Sequence, residues 1–261
     1  MMDNLQGKVA LVTGSSRGIG RAIAVALARA GADLAINYRT RAADAKDAES
    51  EIAGYGRRCV AIQADVSLRS GVDRLVDAVR TELGHIDILV NNAGIARVQS
   101  IEEITEQDWD ELLTVNLKSC FLVTQAVLPG MRARRWGRII NLSSVAAHVG
   151  GVVGAHYAAS KAGMLGLTKT LAKEAAFILA RAGRLEEDGV GITVNTVTPG
   201  FVATEMLENV PEKVLDKIRS QIPVGRLCHP EEIARVVHFL AADASAYITG
   251  QVWGVNGGLD M

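Results

Sequence analysis

The sequence is poor in cysteine, proline and aromatic residues: 3 Cys, 5 Pro, 4 Phe, 4 Tyr and 3 Trp in 261 residues. The cysteines, Cys59, Cys120 and Cys228, are scattered and odd in number. They form neither a disulfide framework nor a thiolate metal site, and a reducing, cytoplasmic setting is expected. The histidines, His85, His148, His156, His229 and His238, lack metal-ligand spacing as well, so no metal is expected. A formal net charge of -1 provides no field to attract nucleic acid or an anionic membrane, and neither is expected as a partner. No apolar stretch reaches the roughly 18 residues that span a bilayer. The longest, Ala22 to Ile36, is broken by Arg29 and Asp33. Met1-Met2-Asp3-Asn4 has neither the basic nor the apolar region of a secretory signal.

What is abundant is aliphatic: 49% of residues are hydrophobic, enough for a sizeable core. Short β-branched runs alternate with longer helical patterns, the signature of βαβ units. Strands are expected at Val9–Val12, Leu34–Tyr38, Cys59–Gln63, Ile86–Val90, Arg138–Leu142, Ile192–Val197 and Gln251–Val255. Helical patterns include Arg21–Ala30, Gly71–Leu83, Asp108–Arg134 and Ala158–Ala180. The expected architecture is α/β: a single doubly wound, Rossmann-type domain over residues 1–261, with a seven-stranded parallel sheet flanked by helices. No repeat, low-complexity tract or linker interrupts it, and Ala182–Gly191 reads as a charged surface loop.

The first strand runs into Thr13-Gly14-Ser15-Ser16-Arg17-Gly18-Ile19-Gly20, after which a helix begins. Glycines there permit a sharp turn and let a pyrophosphate approach the free N–H groups of the helix N-terminus. The spacing Gly-x3-Gly-x-Gly differs from the general dinucleotide fingerprint, and an ordinary tight turn is the competing reading. The second strand ends at Asn37-Tyr38-Arg39, without the acid that would bind a ribose 2′-hydroxyl. Arg17 and Arg39 are placed to reach the adenosine ribose, which favours NADP(H); alternatively both are solvated surface arginines.

Tyr157 and Lys161 stand at i and i+4, on one helix face. A cation beside a phenol is expected to lower its pKa from about 10, so that it exchanges protons nearer neutrality. Reduction of a carbonyl needs such a donor for the developing alkoxide. A solvated helix face would be the plainer reading but for Ser144, which closes Ile139-Ile140-Asn141-Leu142-Ser143-Ser144 at the carboxyl end of a strand. Open α/β sheets bind ligands there, and a hydroxyl can stabilise the substrate oxygen. Asn91-Asn92-Ala93-Gly94 closes another strand; its small residues either admit the cofactor or simply form a turn. Asn116 is a polar residue in an apolar helix, making either a structural hydrogen bond or one that retains a water beside Lys161. Pro199-Gly200 lines a nicotinamide pocket or ends the sixth strand.

In their order and spacing these residues closely resemble the short-chain dehydrogenase/reductase family, along essentially the whole chain. The resemblance implies an oxidoreductase with a tetrad of Asn116, Ser144, Tyr157 and Lys161, in which Lys161 also holds the nicotinamide ribose. It implies cofactor contacts from Gly14, Ser16, Arg17, Gly18, Ile19, Gly20, Arg39, Asp65, Val66, Asn92, Ala93, Gly94, Pro199, Gly200, Val202 and Thr204. Asp65 would meet adenine, and Val202 and Thr204 the nicotinamide amide. Within the family the chain looks most like the bacterial 3-oxoacyl-(acyl-carrier-protein) and acetoacetyl-coenzyme A reductases. Gly137-Arg138-Ile139-Ile140-Asn141, Ile222-Pro223-Val224-Gly225-Arg226-Leu227, Tyr247-Ile248-Thr249-Gly250 and Val255-Asn256-Gly257-Gly258-Leu259-Asp260-Met261 carry that likeness. The implied reaction is NADPH-dependent reduction of a 3-oxoacyl thioester by a homotetramer, with acyl carrier protein as a candidate partner. Against the family pattern, Ala175–Gly191 carries an insertion of roughly ten residues.

Arg132, Arg134, Arg135 and Arg138 crowd one segment. They are expected either to steer an acidic acyl carrier, with Arg135 the contact by family position, or to complement a helix dipole. Two other readings of the whole chain remain open at this point: a dehydrogenase of a sugar or small secondary alcohol, and a non-catalytic NADP(H)-binding regulator.

Overall fold

The computed structural model describes residues 4–151, 153–181, 191–205 and 211–261. The elements run β1 (Val9–Val12), α1 (Gly18–Arg29), β2 (Asp33–Tyr38), α2 (Ala42–Ala53), β3 (Cys59–Gln63), α3 (Arg69–Glu82), β4 (Ile88–Asn91) and α4 (Glu106–Leu113). A π turn, Thr114–Lys118, follows, and then α5 (Ser119–Arg134), β5 (Gly137–Leu142), α6 (Ala146–Val149) and α7 (Ala155–Arg181). The chain continues through β6 (Ile192–Pro199), α8 (Glu212–Gln221), α9 (Pro230–Ala241) and β7 (Val252–Val255).

Seven strands form one sheet in the order β3-β2-β1-β4-β5-β6-β7, with every pairing parallel. Both faces of its central strands are buried, which is why those strands read as continuous apolar runs. Successive side chains alternate between two cores. Ala10, Val12, Ile88, Val90, Ile140 and Leu142 join the layer of α1, α2 and α9. Val9, Leu11, Leu89 and Ile139 join that of α3, α5 and α7. The strand order reverses between β1 and β4, so the crevice for a ligand opens at their carboxyl ends.

The expected strands are all present: β1 and β3 have the expected ends, and the other five have ends moved by one or two residues. The helical run Asp108–Arg134 is interrupted by the π turn, and α7 starts three residues before the expected Ala158. Helix α7 continues to Arg181, so the first part of the insertion lengthens the helix. Most of the expected loop, residues 182–190, lies outside the described residues. Glu106–Arg134 as a continuous helical run is long and apolar enough by composition to cross a membrane, longer than the sequence suggested. Half of its most apolar window is buried within the protein, as in a core helix. Cys59, Cys120 and Cys228 are free thiols.

The four arginines do not make one patch. Arg138 is 1% exposed, its guanidinium donating to the carbonyls of Gly137, Gly191 and Ala242. Arg134 is tied to Ile86 O and Asp87. Arg132, Arg134 and Arg135 precede β5 and Arg138 stands near its start, whereas Ser144 follows its end, so they lie towards the opposite end of the sheet from the crevice.

Candidate active site

The turn after β1 is built by mutual hydrogen bonding rather than by glycine alone. Gly14 N–H donates to Asn37 Oδ1 at 3.2 Å, and Ser15 Oγ donates to Val12 O at 2.6 Å. Asn37 in turn donates to Ala64 O at 3.0 Å, which carries the β2 end across to the Asp65–Val66 loop. Thr13 Oγ1 accepts the N–H groups of Asn92 and Ala93, and the Asn92 amide returns bonds to the carbonyls of Thr13 and Gly14. The β1 and β4 loops are thereby one unit. Two of its glycines leave no choice of residue. Gly14 has φ +62°, and a Cβ on Gly20 would stand 2.5 Å from both Asn92 Nδ2 and Gly14 O.

Around this cradle stand the other expected cofactor residues. Ser16 is buried and Arg17 exposed, with Gly18 and Ile19 opening α1 between them and Gly20. Arg17 is paired with Glu205. A Cβ on Gly18 would come within 3.8 Å of the Thr204 methyl, so the segment after β6 reaches back to this turn. Val202 is buried and bridges to Cys228; Pro199 pairs with Val255; Gly200 is pressed against Asn256, where a Cβ would meet its Cα at 2.9 Å. Asp65 Oδ1 accepts from the N–H and hydroxyl of Ser67, while Val66 is buried beside it. Arg39 lines an open cavity of about 530 Å³ with Ser67, Thr114, Val115 and, on α4, Glu106, Gln107, Asp110 and Glu111.

Tyr157, Lys161, Ser144 and Asn116 converge beside it. Ser144 Oγ accepts from Ala146 N–H at 3.2 Å and stands near enough to the Tyr157 hydroxyl to favour its ionised form. Lys161 is 5% exposed; its Nζ donates to Leu142 O at 2.8 Å and sits 5.8 Å from the centre of the Tyr157 ring. Asn116 is wholly buried in the π turn, where the wider turn seats its side chain against the β4 loop. Its Oδ1 accepts from Ile95 N–H at 2.8 Å, and its Nδ2 donates to Ile95 O and to Ser160 Oγ. Beneath lies a buried polar ladder: Asn91 to Asn141, Asn141 to Thr168, and Thr168 to Thr196.

The electrostatics differ from the expectation for Tyr157. Burial pushes its pKa up, although it keeps a partly exposed face, and the nearby Ser144 hydroxyl offsets only part of that. Burial also lowers Lys161 to about 8, because its ammonium has little but Leu142 O to replace water. The cation that was to depress the phenol is itself destabilised. The phenol is therefore protonated at neutral pH and able to donate.

The site fits a nicotinamide dinucleotide. Lys161 carries three donors and meets one oxygen, Leu142 O, besides a long contact to the Met164 sulfur. A Cβ on Gly94 would lie 3.5 Å from Lys161 Nζ and 3.2 Å from Asn116 Oδ1, so glycine leaves more room beside the ammonium for a hydroxylated ligand. Reading the sequence alone overlooked Gly71, whose Cβ would strike Asp65 O at 2.1 Å, and Gln99, which bonds to His156. The polar Asn37 within an apolar strand was the one local signal of the loop bracing.

Residues 14–260 match the family model described as enoyl-(acyl carrier protein) reductase. The chain is 43% identical over 256 residues to a 3-oxoacyl-(acyl-carrier-protein) reductase of Aquifex aeolicus, covering 98% of each chain. It is 42% identical over 261 residues to one from Synechocystis, covering 100% of each, and 43% identical to one from Pseudomonas aeruginosa, covering 99% of each. A crystal structure from Sinorhizobium meliloti 1021, assigned as a short-chain alcohol dehydrogenase, superposes with a TM-score of 0.89 at 37% identity, covering 99% of this chain and 98% of that one. With the cradle, the phenol–ammonium pair and this likeness together, the chain belongs to the short-chain dehydrogenase/reductase family of oxidoreductases.

Proposed function

We propose that this oxidoreductase reduces the ketone of a 3-oxoacyl thioester, carried on acyl carrier protein or coenzyme A, to the 3-hydroxyacyl thioester with NADPH. The observation that carries it is the buried Lys161 ammonium, tied to Leu142 O at the end of β5 and 5.8 Å from the centre of the Tyr157 ring, joined to relatives of full length that bear this activity in their names. The bound nicotinamide supplies a hydride. Ser144 and Tyr157 hold the ketone oxygen, and the Tyr157 hydroxyl gives it the proton as negative charge develops. Lys161 binds the ribose hydroxyls with its unused donors and stabilises the phenolate that remains. Asn116, locked by Ile95 and Ser160, retains a water through which the proton is replaced.

The phosphorylated cofactor is favoured by Arg39 at the β2 end, where no acid stands, and by Arg17 at the N-cap of α1. The Asp65–Val66 loop takes the adenine, and Pro199, Gly200, Val202 and Thr204 the nicotinamide end. The exposed Phe121 and Phe177 on α5 and α7 support a homotetramer. The test is the fall in NADPH absorbance with acetoacetyl-coenzyme A. Turnover of that thioester, with none of a crotonyl thioester, supports a ketone reductase over an enoyl reductase; oxidation of simple secondary alcohols alone overturns the proposal.

A further inference from the structure

The residue before Tyr157 is a histidine with no exposed surface. His156 Nδ1 accepts the Tyr157 backbone N–H at 3.0 Å, a donor shared with Gly154 O. That bond fixes the tautomer: the proton is on Nε2, which therefore donates to Gln99 Oε1 at 3.0 Å. Gln99 uses its amide nitrogen on Asp108 Oδ2 at 3.3 Å, and Asp108 Oδ1 is held by Arg97 at 2.8 Å. Arg97 closes the circuit, its carbonyl accepting Gly154 N–H at 3.1 Å. The imidazole is also confined sterically, since a Cβ on Gly154 would stand 2.3 Å from His156 Cε1 and 2.5 Å from Nδ1. Two segments far apart in sequence, the loop after Gly94 and the first turn of α7, are thus stitched together at the residue next to the phenol.

We propose that His156, through Gln99, is a positioning residue for Tyr157: the clasp sets the first turn of α7 against the loop over the crevice and so fixes where the phenol points. It rests on the reading of Tyr157 as the proton donor. No charge is needed; the clasp works as a neutral donor–acceptor relay, and a somewhat larger phenyl ring would occupy the site without making either bond. Displacing a catalytic group by about 1 Å is enough to cost about 100-fold in rate.

The experiment compares His156→Phe, Gln99→Met, their double mutant and Gly154→Ala, measuring kcat with acetoacetyl-coenzyme A, NADPH affinity by fluorescence, and Tm. The expected result is a fall in kcat of about 10- to 100-fold for His156→Phe, with NADPH affinity unchanged. Gly154→Ala, which removes no functional group, should reproduce it by displacing the ring. Gln99→Met should fall in the same direction, and the double mutant should be no worse than His156→Phe, because both changes break one clasp. His156→Asn, which keeps an acceptor for the Tyr157 N–H, should recover kcat to within about fivefold of wild type, the worth of one neutral hydrogen bond. Unchanged kcat in His156→Phe overturns the proposal, as do multiplying losses in the double mutant or kcat, affinity and Tm declining together. Tyr157→Phe, run alongside, separates the two readings: if it stays active, the donor assignment fails whatever His156 does.

Discussion

Lys161 Nζ donates to Leu142 O at 2.8 Å, so the buried ammonium is anchored to the last residue of β5 rather than to a carboxylate. With no carboxylate paired to it among the described residues, burial lowers its pKa from an ordinary value of 10.5 to about 8. The unfolded chain therefore holds this proton over a window in which the folded chain has released it. Below pH 8 both states carry it, and the fold bears the full cost of the buried cation. From pH 8 to 10.5 stability should rise with pH, by roughly 3 kcal/mol from this group. Urea titrations should show that rise in wild type and its absence in Lys161→Met; equal pH profiles would remove Lys161 as the cause.

Tyr157→Phe should lower turnover by about 10²–10⁴-fold, the worth of a general acid, while NADPH binding persists. Its phenol is the only group here given the proton. Stopped-flow traces with saturating cofactor and thioester check this. Retention of a tenth of the wild-type rate, about 10-fold below it, would contradict the role.

Arg17 is engaged by Glu205, which should compete with a 2′-phosphate for the same guanidinium. Glu205→Gln should tighten NADPH more than NADH, and most at low salt, where exposed charges are least screened. Tyr38→Asp with Arg39→Ala should erode or reverse the preference for NADPH. Dissociation constants for both cofactors decide the matter, and equal efficiency with the two in wild type would refute the preference.

Gly71→Ala should loosen cofactor binding without touching the tetrad. Its Cβ would lie 2.1 Å from Asp65 O, so the Asp65–Val66 loop must move. The expected signature is a raised KM for cofactor at nearly constant kcat. A parallel loss of both would mean that α3 itself is disturbed.

The sheet was legible because buried parallel strands are apolar on both faces and separated by helical patterns. The placement of Ser144 after β5, and of Tyr157 and Lys161 on one face of α7, was legible from strand order and helical spacing. What local pattern could not supply was direction and depth. Arg138 sits among cations in the sequence but turns inward to three carbonyls, and Tyr157 is governed by burial more than by Lys161. The His156–Gln99 contact joins residues 57 apart, so no periodicity announces it.

The π turn at Thr114–Lys118 holds one residue more than the surrounding helical ladder requires, its Ser119 N–H reaching back to Thr114 O. The bulge absorbs that residue, which leaves α4 and α5 intact on either side. Loss of Val115 would therefore restore an unbroken helix with better backbone bonding, and would take the Asn116 amide away from Ile95 and Ser160. Helix regularity and the placement of the Asn116 amide therefore make opposite demands on this single position. A deletion variant that melts as high as wild type yet has lost turnover would display the conflict directly.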